Sequence, residues 1–164
     1  MNARSESTKR SSQEQTDGRT KSEPVAISQV DTNKSPFQSI FENATQAMYQ
    51  STPEGRFLCV NPAFARIFGY KSPQQVMSEI TKIDSQFHAN PDDRRTFQEV
   101  LYKKGRVDEF EFLARRKDKS LVWVAESAWV CCNPQGRIVR YEGILQDISK
   151  RKKTEAKLQD ALER

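Results

Sequence analysis

One histidine, three cysteines and one carboxylate set among apolar residues are the side chains of this chain best suited to chemistry. His88 is the only imidazole, in the stretch FHANPDD. With no second histidine it cannot build a two-His metal site. It is followed by Ala-Asn-Pro rather than by an acidic residue within a helix, a poor setting for a kinase phosphoacceptor. It reads as a loop or cap residue ahead of a helix start at Asn90-Pro91. Cys59, Cys131 and Cys132 are odd in number and two are adjacent. Neither a disulfide framework nor a C-x-x-C metal pair is available. All three fall in strand-like runs, where cysteine behaves as a small buried hydrophobe. A redox pair at Cys131 and Cys132 is the rarer alternative.

Glu126 carries more information. In the run Val122, Val124, Glu126, Ala128, Val130 it shares a strand face with apolar side chains. If that face points inward, a carboxylate sits in the core and needs a partner. Tyr49, Arg66, Tyr141 or a bound amine could serve. If the Trp123 and Trp129 face points inward instead, Glu126 is solvated. The inward arrangement is preferred. Either way, one sheet face carries large residues that a dimer partner or an N-terminal helix could cover. The sequence offers no Gly-rich phosphate loop and no Ser/His/Asp or Cys/His set, so a free-standing enzyme has little support.

Charge excludes a second class. The net charge is +5, but residues 37–147 carry 15 basic and 14 acidic groups, a net of +1. That is no footprint for nucleic acid. The excess sits mainly in Lys150-Arg151-Lys152-Lys153, which reads as a solvated helix face. No apolar run is long enough to cross a membrane as a helix, and MNARSESTKR lacks the apolar centre of a signal peptide. A cytoplasmic location without membrane insertion is expected.

These residues need elements to hold them. All aromatic residues lie between Phe37 and Tyr141. Residues 1–36, rich in Ser, Thr, Gln, Lys and Glu, read as a disordered leader that cannot offset its ordering entropy, with PVAISQV its one short apolar stretch. The folded unit is 37–147, large enough for one core. Three helix starts share a grammar: Asn61-Pro62, Ser72-Pro73 and Asn90-Pro91 each set a capping side chain before a proline at the first helical position. Gly69 and Gly105 supply two stops. Phe64, Ile67 and Phe68 fall on one helical face, and Phe97, Val100 and Leu101 on another. Strands are expected at 47–51 and 56–60 around the turn Thr52-Pro53-Glu54-Gly55, and then at 107–115, 121–132 and 137–147. The last two flank Asn133-Pro134-Gln135-Gly136. In the first of these three, Phe110, Phe112 and Ala114 alternate with Glu109, Glu111 and Arg115. Strands and helices segregated in this way argue α+β with an antiparallel sheet.

The order strand–strand–helix–helix–helix–strand–strand–strand, with FENATQAMYQSTPEGRFLCVNPAFARIFGY, RKDKSLVWV and GRIVRYEGILQDISKRKKTEAKL, resembles the PAS (Per-Arnt-Sim) sensory domain of bacterial signalling proteins. The resemblance runs from about Phe37 to the C-terminus. One departure is Lys119, where the family commonly has Gly in a Lys-Asp-Gly-Ser hairpin; lysine tolerates φ > 0 less well. The resemblance implies a five-stranded antiparallel sheet with short helices on one face and a C-terminal exit helix. It also implies a pocket drawn from Tyr49, Phe64, Ile67, Phe68, Phe110, Phe112, Val124, Glu126 and Tyr141. Asp147-Ile148-Ser149 matches the triad at which the family's last strand passes into a signalling helix, here 148–164, with Asp147 able to cap it. No Gly or Pro interrupts that junction. Ile148, Leu158 and Leu162 form a thin stripe, so a coiled coil from this chain alone should be weak. Arg164 falls mid-helix, as in a segment of a longer protein. The function implied is a sensory and dimerisation module. A homodimer is expected, driving a histidine kinase or cyclic-nucleotide enzyme in cis or in trans. The alternative is a ligand-free protein-interaction domain. No cofactor is expected. Haem-binding relatives place their histidine on the long helix, whereas His88 precedes a helix start. Flavin-binding light sensors carry an Asn-Cys-Arg stretch that is absent here.

Overall fold

The computed structural model describes residues 34–164; the leader expected over 1–36, PVAISQV included, lies almost wholly outside them. The elements are α1 (Pro36–Asn43), β1 (Ala47–Ser51), β2 (Phe57–Val60), α2 (Pro62–Phe68), α3 (Pro73–Glu79), α4 (Ile83–Gln86), α5 (Pro91–Lys104), β3 (Arg106–Arg115), β4 (Leu121–Cys132), β5 (Ile138–Asp147) and α6 (Ser149–Leu162). The five strands form one antiparallel sheet in the order β2-β1-β5-β4-β3. The chain thus closes its last strand into the centre, between the first strand and the fourth.

Local chemistry sets the boundaries. The side chains of Ser35, Asn61, Ser72 and Asn90 each accept a backbone N–H in the first turn of α1, α2, α3 and α5, and each is followed by proline. Ser35-Pro36 is the same grammar as the other three starts, yet α1 was not foreseen. Nor was α4, a single turn too short for any periodicity to show. Gly69 and Gly105 end α2 and α5 in the left-handed region, at φ 79° and 69°.

Asn61 does more than cap. It is fully buried, its Oδ1 accepts from the Met48 and Phe64 amides, and its Nδ2 donates to the Phe41 and Gln46 carbonyls. One amide thereby ties α1, β1 and α2 together with every hydrogen bond satisfied.

The core lies between the sheet's inner face and helices α2–α5. Phe64, Phe68, Phe87 and Phe112 form its centre, and Phe97, Leu101, Val107 and Ala128 form a second cluster under α5. On β3 Phe110, Phe112 and Ala114 face inward and Glu109 and Glu111 outward, as expected, and the alternation breaks only ahead of them. Val107 and Phe110 both face inward but are three residues apart. A bulge absorbs the odd residue, with Glu109 at φ 48° and its amide donating to the Ser127 hydroxyl. Lys119 sits at φ 70°, in the strained position expected from its place in the turn, and the hairpin still closes through Lys119 N–H to Arg116 O.

The cysteines correct the sequence reading. Cys59 and Cys131 are half-buried and Cys132 is exposed, so none is a core residue. Cys131 and Cys132 lie where β4 runs past the helices, with a register shift between them.

Candidate functional site

On β4 the inward face is that of Val122, Val124, Glu126 and Ala128, while Trp123 and Trp129 point outward. Glu126, 3% exposed, is a carboxyl in the core. Of the partners considered, Tyr49 is the one it meets. The Tyr49 hydroxyl donates to Glu126 Oε1 at 2.5 Å. Arg66 is exposed on α2, and Tyr141 packs on the second cluster. Among the described residues Glu126 Oε2 has no hydrogen-bond partner.

The reach of Tyr49 has a cause in the sheet. Tyr49 is on β1 and Glu126 on β4, and β5 runs between them. Tyr49 pairs with Gly143, and Gly143 with Ala128. The ring crosses β5 directly over Gly143. A Cβ there would stand 2.6 Å from Tyr49 Cζ and 2.7 Å from its oxygen, and closer still to Cε1. Only glycine leaves room for the crossing.

A small internal cavity adjoins this pair. It is lined by Tyr49, Ser51, Phe57, Ile83, Phe87, His88, Arg94 and Glu126, and its volume of about 10 Å3 is room for one water molecule. Of the nine residues expected to form a pocket, only Tyr49 and Glu126 line it. Phe64, Phe68, Phe112 and Val124 are fully buried packing behind it, and Ile67, Phe110 and Tyr141 are half-buried at the margins of the core.

His88 is the larger surprise. It precedes α5 as expected, but it is no surface cap: it is 3% exposed and stacks on Phe112 at 4.5 Å between ring centroids. The backbone explains this. Residues 87–89 pair along the free edge of β3, through His88 with Ala114, Ala89 N–H to Leu113 O and Arg115 N–H to Phe87 O. That pairing turns the imidazole into the core. Among the described residues neither ring nitrogen finds a hydrogen bond of normal geometry. Arg94, expected by no sequence argument, closes the rim. It is nearly buried, donates from Nε to Asp84 Oδ1 at 2.7 Å, and lies over the Phe97 ring. Its spacing to Phe97 and Leu101 places it on the inner face of α5, and that was the available signal.

Burial drives the electrostatics. It raises Glu126 to about 7 against an ordinary 4.5, with the Tyr49 hydrogen bond and the Arg94 charge pulling back. It lowers His88 to about 3 from 6.5, helped by Arg94; Asp84 and the Ile83 backbone oppose it. Tyr49 is pushed well above its usual range by burial and by Glu126. At neutral pH the cavity holds an uncharged imidazole and a carboxyl near its midpoint. No group of three or more metal-ligating side chains occurs among the described residues.

The second notable region is the exit from β5. Asp147 Oδ1 accepts the Ser149 N–H at 2.9 Å, although the helix boundary itself falls at Ile148. Asp147 Oδ2 lies 3.7 Å from the Arg116 guanidinium, whose Nε donates to the Ile67 carbonyl at the end of α2. Ile148 is buried and its N–H donates to Trp123 O on β4. Glu111 on β3 holds Arg151 and Lys152, each at 2.5 Å, and the Lys152 ammonium lies 4.9 Å from the Trp123 ring centroid. The first turn of α6 is thus fastened to three strands. Its last turns are not: Leu158 and Leu162 are exposed.

A five-stranded antiparallel sheet in this order, with helices over one face around a small central cavity, defines a fold shared by many proteins. A sequence profile of the family described as "PAS domain" matches residues 45–150, and the chain belongs to that family. Solved structures agree on the fold. A PAS domain from Colwellia psychrerythraea is 19% identical, with TM-score 0.60, over 70% of this chain and 95% of that one. A sensory box histidine kinase/response regulator from Burkholderia thailandensis is 24% identical, with TM-score 0.59, over 79% and 96%. An RNA-binding light-oxygen-voltage receptor is 20% identical, with TM-score 0.64, over 77% of this chain and 36% of that one. No curated protein matches the chain. No helix among the described residues is long and apolar enough to cross a membrane.

Proposed function

We propose that the chain is a sensory and dimerisation module of a cytoplasmic signalling protein, passing changes in its core to an output domain through α6. The observation that carries this reading is the joint at Asp147-Ile148-Ser149. A flexible linker would absorb a small shift of the sheet. Here the strand runs into the helix with no glycine, Ile148 is bonded to β4, and Glu111 fastens the first turn. A displacement of β5 must therefore displace α6. The solvent-facing Leu158 and Leu162 suit the seam of a parallel pair with a second copy, short of the three or four heptads that would hold alone. The output domain is a histidine kinase or a cyclic-nucleotide enzyme, in keeping with the sensory histidine kinases among the structural neighbours.

The test is helical phase. The chain is joined after Arg164 to a histidine kinase core, with zero to seven residues inserted at the junction. Basal autophosphorylation is expected to rise and fall with insert length and to return at seven. Activity independent of insert length would overturn transmission through α6.

A second reading is a protein-interaction domain with a filled core, favoured by the cavity volume of only about 10 Å3. Native mass spectrometry separates a sensor of an organic ligand from this second reading, whereas a proton stimulus leaves no mass excess. A discrete mass excess per subunit supports an organic stimulus, and the same spectrum counts subunits.

A further inference from the structure

The cavity beside Glu126 is too small for an organic ligand and too polar to be inert packing. Among the described residues three of its buried atoms, Glu126 Oε2 and both His88 ring nitrogens, make no hydrogen bond of normal geometry, the Ile83 backbone being the imidazole's nearest approach to one. The groups come from four places: Tyr49 on β1, Glu126 on β4, His88 on the segment that pairs with β3, and Arg94 at the rim on α5. Asp84 on α4 is the remaining charged group facing them, and it already holds Arg94. A neutral Glu126 suits this setting, because its acid hydrogen can be donated into the cavity. Among the described residues an ionised Glu126 meets no free cation: it must accept from Tyr49 alone or draw Arg94 away from Asp84.

We propose that this cavity is the stimulus site of the domain and that its ligand is the proton, carried by Glu126 and reported to β5 through Tyr49. The step is a simple ionisation. The Glu126 O–H bond breaks, the electron pair stays on the carboxylate, and the proton leaves to solvent water past the Arg94 and Asp84 rim. Two consequences follow from the geometry. The Tyr49 bond becomes charge-assisted and tightens across β5 over Gly143. Arg94, the cation at the rim among the described residues, is pulled inward, loosening the contact between α4 and α5. Glu126 and His88 both line a cavity with room for one water, which could bridge them by accepting from the carboxyl and donating to an imidazole nitrogen. This inference deepens the sensory reading and rests on it, since a proton signal needs an output. The burial that raises Glu126 toward neutrality agrees with the geometry.

The experiment is a pH titration, from 5.5 to 8.5, of the described chain labelled with 13C in its glutamate side chains and uniformly with 15N. The wild type is compared with Glu126→Gln and Tyr49→Phe. The expected result is one glutamate carboxyl titrating within about one unit of 7, absent from Glu126→Gln, with the Gly143 and Arg94 signals following the same midpoint. In Tyr49→Phe the carboxyl still titrates but the Gly143 response falls at least several-fold. His88, the only imidazole, is expected to stay neutral throughout. A Glu126 carboxyl that does not titrate in this range overturns the proposal and leaves transmission through α6 standing on its own test. A Gly143 response that persists in Glu126→Gln also overturns it. If Glu126 and Gly143 titrate together while the α6 amides stay still, the proton site stands and the output reading fails.

Discussion

Gly143→Ala is a one-methyl test of the crossing on which the core polar pair depends. The added Cβ would stand 2.6 Å from Tyr49 Cζ and 2.7 Å from its hydroxyl oxygen. The strand cannot retreat, because β5 is bonded to β1 on one side and β4 on the other. The Tyr49 ring must therefore swing, and it cannot swing and keep the 2.5 Å bond to Glu126. Overpacking a tight site costs about 1–3 kcal/mol. Leaving a buried phenol and carboxyl mismatched costs about 1–3 kcal/mol more. The smaller entropy of the unfolded alanine chain returns roughly 0.5 kcal/mol. The net loss is about 2–5 kcal/mol. In urea, at a slope of about 1.5 kcal/mol/M, the midpoint falls by roughly 1–3 M. The same substitution made on Tyr49→Leu, where the ring is gone, should cost at least 1 kcal/mol less than on the wild type. A loss under about 0.5 kcal/mol in the single variant, or an equal loss in both backgrounds, would refute the crossing.

Three further outcomes follow from the same geometry. His88 binds its proton near 3 when folded and near 6.5 when unfolded, so its contribution is complete above 6.5 and is lost as pH falls toward 3, about 5 kcal/mol in all. Glu126, raised to about 7 from 4.5, works in the opposite sense, losing about 3 kcal/mol as pH rises from 4.5 to 7. The two slopes cancel between 4.5 and 6.5. His88→Phe should reduce the acid slope to the part set by carboxylates held below their usual range, such as Glu111 and Glu142, and leave stability declining from pH 4.5 to 7 in chemical denaturation; an acid limb unchanged from wild type would sink this. Phe112→Ala, at a fully buried ring that touches Phe87, His88 and Phe110, should cost about 3–5 kcal/mol by urea titration. Lys119→Gly should stabilise by about 0.5–1 kcal/mol, since φ 70° strains lysine and not glycine; a destabilised variant would place the strain elsewhere.

The strands were legible because each level of the sequence agreed. AMYQS and LVWVAESAWVCC coincide with β1 and β4. The proline and glycine of TPEG and NPQG close their turns with Gly55 at φ 82° and Gly136 at φ 77°. The passage from strand to helix was legible as a change from apolar to charged residues across Asp147 with no turn residue, and β5 ends at Asp147 and α6 begins at Ser149. The cavity was half legible. Glu126 stands out in the sequence as one polar residue in an inward apolar run, and Tyr49 is among the partners the sequence offers it. His88 and Arg94 escaped because their burial is decided elsewhere: by the pairing of residues 87–89 on the β3 edge, and by Asp84 offering Arg94 a partner at the rim. Gly143 carries no signal in its own segment; its role depends on which strands flank β5. The bulge at Glu109 was readable in hindsight from the odd spacing of Val107 and Phe110.

The proposal that sheet and exit helix are rigidly joined is best tested by 15N relaxation of the backbone from Leu145 to Glu155. The account predicts order parameters near 0.85 without interruption through Asp147, Ile148 and Ser149, as in the strand itself. A drop below about 0.6 at Ile148 or Ser149 would make the junction a flexible linker and contradict transmission from β5 to α6.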